Sequence, residues 1–216
     1  MKSLILAFAI ALAAASTARA DANLIINGEF DSDVVPWIPV NENFSVVWDS
    51  ADSAGLPTSG SARVTSRQMD AGGPSSGGAG AFECIRVVEA SYAVSALYFI
   101  PSGQNHTAEP DVAVAWFDDT ACLGGVLGQG LVPQGASTTD SWLPLSGDVM
   151  APSGAMSANV ILRPRKVEAQ TSVEDPGVDV LFDAVQFVPE PGAAALGVTA
   201  AAAIAIRRRR LSCSPS

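Results

Sequence analysis

The stretch that decides the fold of this 216-residue chain is Asp111-Val-Ala-Val-Ala-Trp-Phe117. Its larger side chains alternate with alanines, and residues two apart share one face of a β-strand. Val112, Val114 and Trp116 are therefore predicted to face one side, and Ala113, Ala115 and Phe117 the other. The pattern predicts a strand whose first face, at least, lies in a hydrophobic core.

Eight more segments are predicted to be strands, because they combine β-branched or aromatic residues with flanking Gly, Pro, Ser or Asp. No segment between them sustains a helical period over three turns. The stretches 70–80, 101–110 and 124–139 contain many of the turn-forming residues Gly, Pro, Ser and Asp and are predicted to be loops. Nine short strands separated by such loops predict an all-β fold, an antiparallel β-sandwich closed as a jelly roll. The eight segments are 24–26, 44–48, 61–65, 81–88, 91–100, 142–145, 157–162 and 178–187.

The first 20 residues have the order of a secretory signal peptide. Lys2 gives a positive start, residues 4–15 form an uncharged apolar helix, and Ala18 and Ala20 form a small-x-small cleavage pair. Cleavage after Ala20 leaves residues 21–188 as one domain of ordinary size. The sequence therefore predicts an exported protein.

Residues 21–188 are strongly acidic. They carry six basic side chains against 21 acidic ones, a net charge of −15, whereas the whole chain has −10. Nucleic acids are bound by clustered Lys and Arg, so this composition excludes a nucleic-acid-binding domain. Acidity favours solubility and attracts divalent cations.

Two of the three cysteines, Cys84 and Cys122, lie in this domain. In an exported protein such a pair is most often a disulfide, although two buried free thiols would also suit apolar surroundings. The sequence favours the disulfide because of the compartment.

Residues 189–216 differ in composition from the domain. They run from Pro189-Glu190-Pro191 through a short apolar helix at 193–206 to Arg207, Arg208, Arg209 and Arg210. Fourteen helical residues span about 21 Å, which is less than the roughly 30 Å of a bilayer core. This transmembrane helix is predicted to be a transient inner-membrane anchor, with the arginines on the cytoplasmic side.

This tail resembles the PEP-CTERM sorting signal of Gram-negative bacteria, through Pro189, Glu190, Pro191 and the arginine cluster. The resemblance implies recognition and removal of the tail by a membrane processing enzyme of the exosortase type. It also implies delivery of the protein to the cell surface or extracellular matrix.

The domain resembles carbohydrate-binding modules of the CBM4/9/22 type, which have a galactose-binding-like jelly roll. The resemblance rests on Asn23-Leu-Ile-Ile-Asn-Gly-Glu-Phe30 followed by Trp37, on Ser91-Tyr-Ala-Val-Ser-Ala96, on Trp142 with Leu145, and on Val180-Leu-Phe-Asp-Ala-Val185. It implies a structural calcium ion between the first and last strands, held by Glu29 and Asp183. Backbone carbonyls near Asn27 or Asp31 would complete the six to eight oxygens that calcium takes. Two solvated carboxylates are the alternative.

Sugar binding needs an exposed aromatic ring with polar neighbours. Trp116 shares its face with valines, and the resemblance places Trp37 and Trp142 in the core. Trp48, just before Asp49, is the predicted ligand-binding residue, with Tyr98 as a further candidate.

The sequence gives no catalytic constellation. Gly73-Pro-Ser-Ser-Gly77 matches a nucleophile-elbow string but lies in a glycine loop, and His106 is the one histidine. Adjacent Asp118 and Asp119 point to opposite faces if they are on a strand. We therefore expect a non-catalytic surface or matrix protein that contacts extracellular polysaccharide. A purely structural matrix protein and an accessory domain of a carbohydrate-active enzyme are the alternatives.

Overall fold

The computed structural model describes residues 22–67, 80–167 and 177–190. Within these ranges Asn23–Val188 forms one compact unit. The described secondary structure consists of ten β-strands: β1 (Ile38–Pro39), β2 (Phe44–Asp49), β3 (Ser61–Ser66), β4 (Ala81–Arg86), β5 (Ser91–Phe99), β6 (Asp111–Phe117), β7 (Val126–Leu131), β8 (Trp142–Met150), β9 (Ser157–Arg163) and β10 (Val178–Pro189).

The strands form two five-stranded sheets. Sheet A has the order β1-β4-β9-β6-β7, and sheet B has the order β2-β3-β10-β5-β8. The neighbouring strands pair antiparallel, and the chain crosses repeatedly from one sheet to the other. The predicted antiparallel β-sandwich jelly roll is confirmed. The predicted signal helix in 1–20 and the apolar helix at 193–206 lie outside the described residues, and none of the described segments is a helix that could span a membrane.

The main core lies between the two sheets and follows the predicted two-residue period. On β6, Val112, Val114 and Trp116 point inward and are at most 1% exposed. Tyr92 of β5 stacks on Phe187 of β10, with ring centroids 4.6 Å apart, and Trp116 packs against both rings. Trp116 belongs to sheet A and the other two rings to sheet B, so its contacts join the two layers.

The short strand β1 was not predicted, β8 runs five residues beyond the predicted 142–145, and two further segments differ in type. Residues 126–131 were expected in a loop but form β7, because Ala113, Ala115 and Phe117 of β6 pair with this segment. Residues 24–26 were expected to form a strand and do not. In a strand, backbone groups of this segment would hydrogen-bond to β10. Here the Asn23 side chain does so instead, accepting from Phe187 N–H and donating to Val185 O.

The two ends of the compact unit nevertheless lie side by side. Leu24 N–H donates to Phe187 O at 3.0 Å, and Val185 N–H donates to Gly28 O at 2.9 Å. A Cβ on Gly28 would overlap Val185 O, so this close approach requires glycine. The first described segment is thereby fixed along β10.

Candidate functional site

A jelly-roll sandwich offers the outer face of each sheet as a binding surface, and the two outer faces here differ. The outer face of sheet A carries a second hydrophobic cluster, which we call the outer cluster. Val40 and the loop around Cys122 pack over its sheet residues. The outer cluster consists of Ala113, Ala115, Phe117, Cys122 and Ile161, with Val40 and Phe82 at its edge.

A disulfide fastens this cover. Cys84 on β4 is bonded to Cys122 in the loop between β6 and β7, the pairing that the sequence favours. Cys122 N–H also donates to Ser157 Oγ at 3.0 Å. This part of the outer face of sheet A is therefore occupied by the protein's own loop.

The same face carries a buried ion pair. Arg163 on β9 holds Asp111 on β6 through two parallel hydrogen bonds, Nε to Oδ1 at 2.5 Å and Nη2 to Oδ2 at 2.6 Å. Both residues are 3% exposed. Arg165 Nη1 lies 3.6 Å from Asp111 Oδ2 as well, so two guanidinium groups compensate the charge of this buried carboxylate. We read this pair as part of the scaffold.

The outer face of sheet B carries an ionic network that is partly open to solvent. Arg63 on β3 donates Nε and Nη2 to Asp49 on β2, and Nη1 to Asp179 on β10 at 3.1 Å. Thr65 donates its hydroxyl to Asp179 at 2.6 Å. Burial raises the pKa of Asp49, but the Ala51 N–H and Arg63 more than offset this, so the pKa lies below its usual value. Asp49 is thus held ionised.

Next to this network on sheet B lies an aromatic pair. Phe99 on β5 is paired in register with Trp142 on β8, and their rings contact at 5.5 Å between centroids with a 46° tilt. Both side chains are half-buried. The expectation that Trp142 packs in the core is wrong. Side chains along a strand alternate between its two faces. Leu145 and Val149 face the core, and Trp142 lies an odd number of residues from both, so it faces outward.

Trp48, the predicted ligand platform, is 39% exposed at the end of β2. Its Nε1–H donates to Phe30 O at 2.7 Å, and its ring lies against Gly60. One edge of the indole is therefore fixed by the protein and part of the ring faces solvent. Trp48 stays a candidate on this geometry.

The other aromatic candidates belong to the core. Trp37 is 3% exposed and donates to Asn27 O, and Tyr98 is 1% exposed and donates to Ala136 O. Trp116 is likewise interior. All three rings are at most 3% exposed, so none presents a face to a ligand.

Glu29 and Asp183, the predicted calcium residues, interact electrostatically. The pKa of Glu29 is raised, first by partial burial and then by the carboxylates of Asp183, Asp31 and Asp52. Asp183 is 1% exposed, and its carboxylate accepts from the N–H groups of Ser53 and Ala184.

The negative charge of these residues suits a cation, but their side chains would supply few of its ligands. Within the described ranges no three His, Cys, Asp or Glu side chains converge as a metal site. Backbone carbonyls would therefore have to provide most of the oxygens. Asn27 O, one of the expected carbonyls, already accepts from Trp37 Nε1.

The carboxylates considered for catalysis have structural partners. Asp118 accepts from Gly125 N–H at 2.7 Å, and Asp119 accepts from Leu123 N–H at 3.1 Å. Both bonds close the loop between β6 and β7. The Gly73–Gly77 string lies outside the described residues.

Comparison with known proteins finds a likeness of fold between this domain and solved carbohydrate-binding modules. No protein-family model matches the chain, and no curated protein matches it. Similar solved structures include family 22 modules, all with low sequence identity. The likeness is therefore one of fold.

Three of these structures illustrate it. The CBM22-1 xylan-binding domain of Paenibacillus barcinonensis Xyn10C has a TM-score of 0.51 and 15% identity, over 80% of this chain and 98% of that one. The CBM22-1–CBM22-2 tandem domain of the same protein has a TM-score of 0.56 and 11% identity, over 78% and 50%. The Clostridium thermocellum xylanase 10B modules, complexed with xylohexaose, have a TM-score of 0.52 and 14% identity, over 77% of this chain and only 28% of that one.

Proposed function

We propose that this chain is an exported, non-catalytic protein whose β-sandwich binds polysaccharide at the cell surface or in the extracellular matrix. The observation that carries the proposal is the solvent-facing part of Trp48, 39% exposed although the core is already filled by other aromatic rings. An aromatic ring that the protein holds at one edge and leaves partly open to solvent offers an apolar surface with a fixed orientation to a ligand. The shared fold with modules named as xylan-binding supports the same function.

The test is affinity electrophoresis of the full-length protein through gels that contain xylan, β-glucan or the producing cell's own matrix polysaccharide. Retardation in one of these gels is the expected result, and Trp48→Ala should weaken it. Leu56→Ala is the matched control, because Leu56 is exposed and apolar but not aromatic. If no polysaccharide retards the unaltered protein, the binding function is refuted.

We further propose that the tail 189–216 directs sorting. Its motif, Pro189-Glu190-Pro191, is followed by an apolar segment and Arg207–Arg210, the order read by an exosortase-type enzyme in the proteins it resembles. The tail would anchor the protein transiently in the inner membrane before release. Replacing the three motif residues by alanine should leave the protein with the inner membrane on cell fractionation. Unchanged delivery to the surface would contradict sorting by the tail.

We also propose a structural calcium ion at Glu29 and Asp183. Bound calcium would neutralise the local excess of carboxylate charge and tie the segment around Glu29 to β10. The raised pKa of Glu29 supports this, because after partial burial its causes are the charges of Asp183, Asp31 and Asp52, and a cation would relieve that repulsion.

A purely structural matrix protein is the second candidate. It is favoured by the closed outer face of sheet A, where the outer cluster and the disulfide loop occupy the surface that a ligand would need. The accessory-domain alternative is favoured by the xylanase, in which the matched module is a minor part of a longer chain.

A further inference from the structure

We propose that a second copy of this chain pairs with the open edge of sheet A. Strand β7 of one copy then lies antiparallel to strand β7 of the other, about a two-fold axis at Gln129. The partner is identical to this chain, and the contact is a ladder of backbone hydrogen bonds that joins the two sheets. The inference goes beyond the proposed function and does not depend on it.

Among the described strands, four lie at the edges of the two sheets, and β7 is the least protected against pairing with another strand. Edge strands are usually protected by charged residues, by proline or by very short length. β1 has 2 residues, one of them Pro39, β2 ends in Asp49, and β8 contains Pro144 and Asp148. β7, Val126-Leu-Gly-Gln-Gly-Leu131, contains neither a charged residue nor a proline.

The open edge of β7 has backbone groups that can bind another strand. Val132 N–H donates to Val112 O, and in an antiparallel ladder the residues bonded to one neighbour alternate along the strand. Gln129 and Leu131 lie an odd number of residues from Val132, so they direct their N–H and C=O groups to the open edge. Leu127 has no register partner on β6, because the register shifts beside it. One more strand can therefore hydrogen-bond to β7.

The sequence of this edge identifies the strand that fits it. Val126-Leu-Gly-Gln-Gly-Leu-Val132 reads the same in both directions about Gln129. Antiparallel pairing of two copies centred on Gln129 therefore places every residue opposite one of its own type. Leu127 lies opposite Leu131, and the two Gln129 side chains meet at the axis, where their amides can both donate and accept. A two-fold interface requires such a self-complementary surface.

The same edge leaves apolar side chains in water. Leu127 and Leu131 are 40% and 43% exposed, and Val126 beside them is 60% exposed. In the proposed pairing, each leucine contacts a leucine of the other copy across the new ladder. The pairing therefore removes apolar surface of both copies from water.

Charge favours this edge over the rest of the surface for self-association. Two copies of a domain with a net charge of −15 repel each other. Residues 120–139 carry no charged side chain, so two copies that meet here bring uncharged segments together. Salt screens the remaining repulsion between the domains and should strengthen the association.

The loop that leads into β7 is fixed before any partner arrives. The disulfide joins Cys122 in this loop to Cys84 on β4. The Asp118 carboxylate accepts from Gly125 N–H at 2.7 Å, directly before β7 begins. An edge held in place in this way loses little conformational freedom when a second copy binds.

Sedimentation equilibrium of the full-length protein over a range of concentrations measures the association. We expect a monomer–dimer equilibrium that added salt shifts toward the dimer. Gln129→Lys should raise the dissociation constant roughly tenfold, because it places like charges opposite each other and removes the amide pair. Met150→Lys is the matched control, because Met150 is exposed at the end of another edge strand, β8. Circular dichroism checks that each variant is folded.

Disulfide cross-linking tests the register and does not depend on the lysine variant. The Cα atoms of a hydrogen-bonded antiparallel pair are about 5.5 Å apart, which a disulfide can bridge. In a Cys213→Ser background, Gln129→Cys should therefore form a disulfide-linked dimer under mild oxidation. Met150→Cys in the same background should not.

Three results would overturn the proposal. A protein that is monomeric at every concentration does not pair through β7. A dimer that Gln129→Lys leaves unchanged associates through another surface. A dimer that Gln129→Lys weakens but that Gln129→Cys does not cross-link lacks the two-fold register about Gln129. Polysaccharide binding is measured separately, so none of these results bears on the proposed function.

Discussion

The backbone N–H of Ile26 donates a hydrogen bond to Glu83 Oε1 at 3.0 Å. Glu83 is 1% exposed on the inward face of β4, and its other oxygen, Oε2, has no hydrogen-bond partner among the described residues. Removing a carboxylate from water costs free energy, and here one hydrogen bond compensates only a small part of that cost. Burial therefore raises the pKa of Glu83, and the bond from Ile26 offsets only part of the rise.

We predict that Glu83→Gln stabilises the protein at neutral pH. Because the folded-state pKa is raised, Glu83 favours folding fully below the ordinary glutamate pKa of about 4.3, and this contribution is lost as the pH rises through the raised value. Glutamine keeps an acceptor for Ile26 N–H and removes the charge. Urea unfolding should show a gain of roughly 1–2 kcal/mol at pH 7 that vanishes near pH 4. The exposed Glu89→Gln is the control, and a loss of stability at pH 7 would contradict the prediction.

We predict that reducing the disulfide costs about 3–4 kcal/mol of unfolding free energy. Cys84 and Cys122 are 38 residues apart, and a cross-link that closes a loop of this length limits the unfolded chain by about that amount. Urea unfolding with and without reductant measures the difference. The Cys84→Ser/Cys122→Ser double variant should have the unfolding free energy of the reduced protein, and reductant should not change it. With the bond formed, Cys213 is the one cysteine left to alkylate in the non-reduced chain, so three alkylatable thiols would show that no such bond forms.

We predict that calcium raises the melting temperature and that Glu29→Gln abolishes the effect. At 100 times its dissociation constant, a bound ion adds about 2.7 kcal/mol. In chelator at pH 7 the same variant should melt above the unaltered protein, because it removes repulsion from Asp183, Asp31 and Asp52. Glu42→Gln serves as an exposed control. A melting temperature that chelator leaves unchanged would eliminate the calcium site.

We predict that Gly28→Ala destabilises the domain by roughly 1–3 kcal/mol. Its Cβ would overlap Val185 O, a backbone atom of β10 that cannot swing aside. Gly55→Asn is the comparison, because Gly55 has a φ of 71° and open space around it, and asparagine tolerates that conformation. Thermal unfolding of the two variants should separate them clearly. Equal stability would mean that the first segment is not fixed along β10.

The strands that could be predicted were those whose own residues alternate. β6 has the predicted bounds, because its pattern of large and small side chains is local. β7 could not be predicted, since Val126-Leu-Gly-Gln-Gly-Leu131 reads as a flexible loop until β6 pairs with it. The segment 24–26 has strand composition, but the Asn23 side chain provides its contacts to β10 instead.

The candidate site divides in the same way. The outward position of Trp142 follows from its parity with Leu145, so the sequence contained that information. The sequence could not reveal the partners of Arg63, because Asp49 and Asp179 lie 14 and 116 residues away along the chain. Such a network exists only once β2, β3 and β10 are side by side.

The contact between Leu24 and Phe187 has a mechanical consequence. The two ends of the compact unit leave it at one place, so tension applied across them falls first on the hydrogen bonds that join residues 23–28 to residues 185–187. Those hydrogen bonds would break one after another, before the strands of either sheet are pulled apart. We therefore expect the domain to yield early when it is stretched by its own two ends.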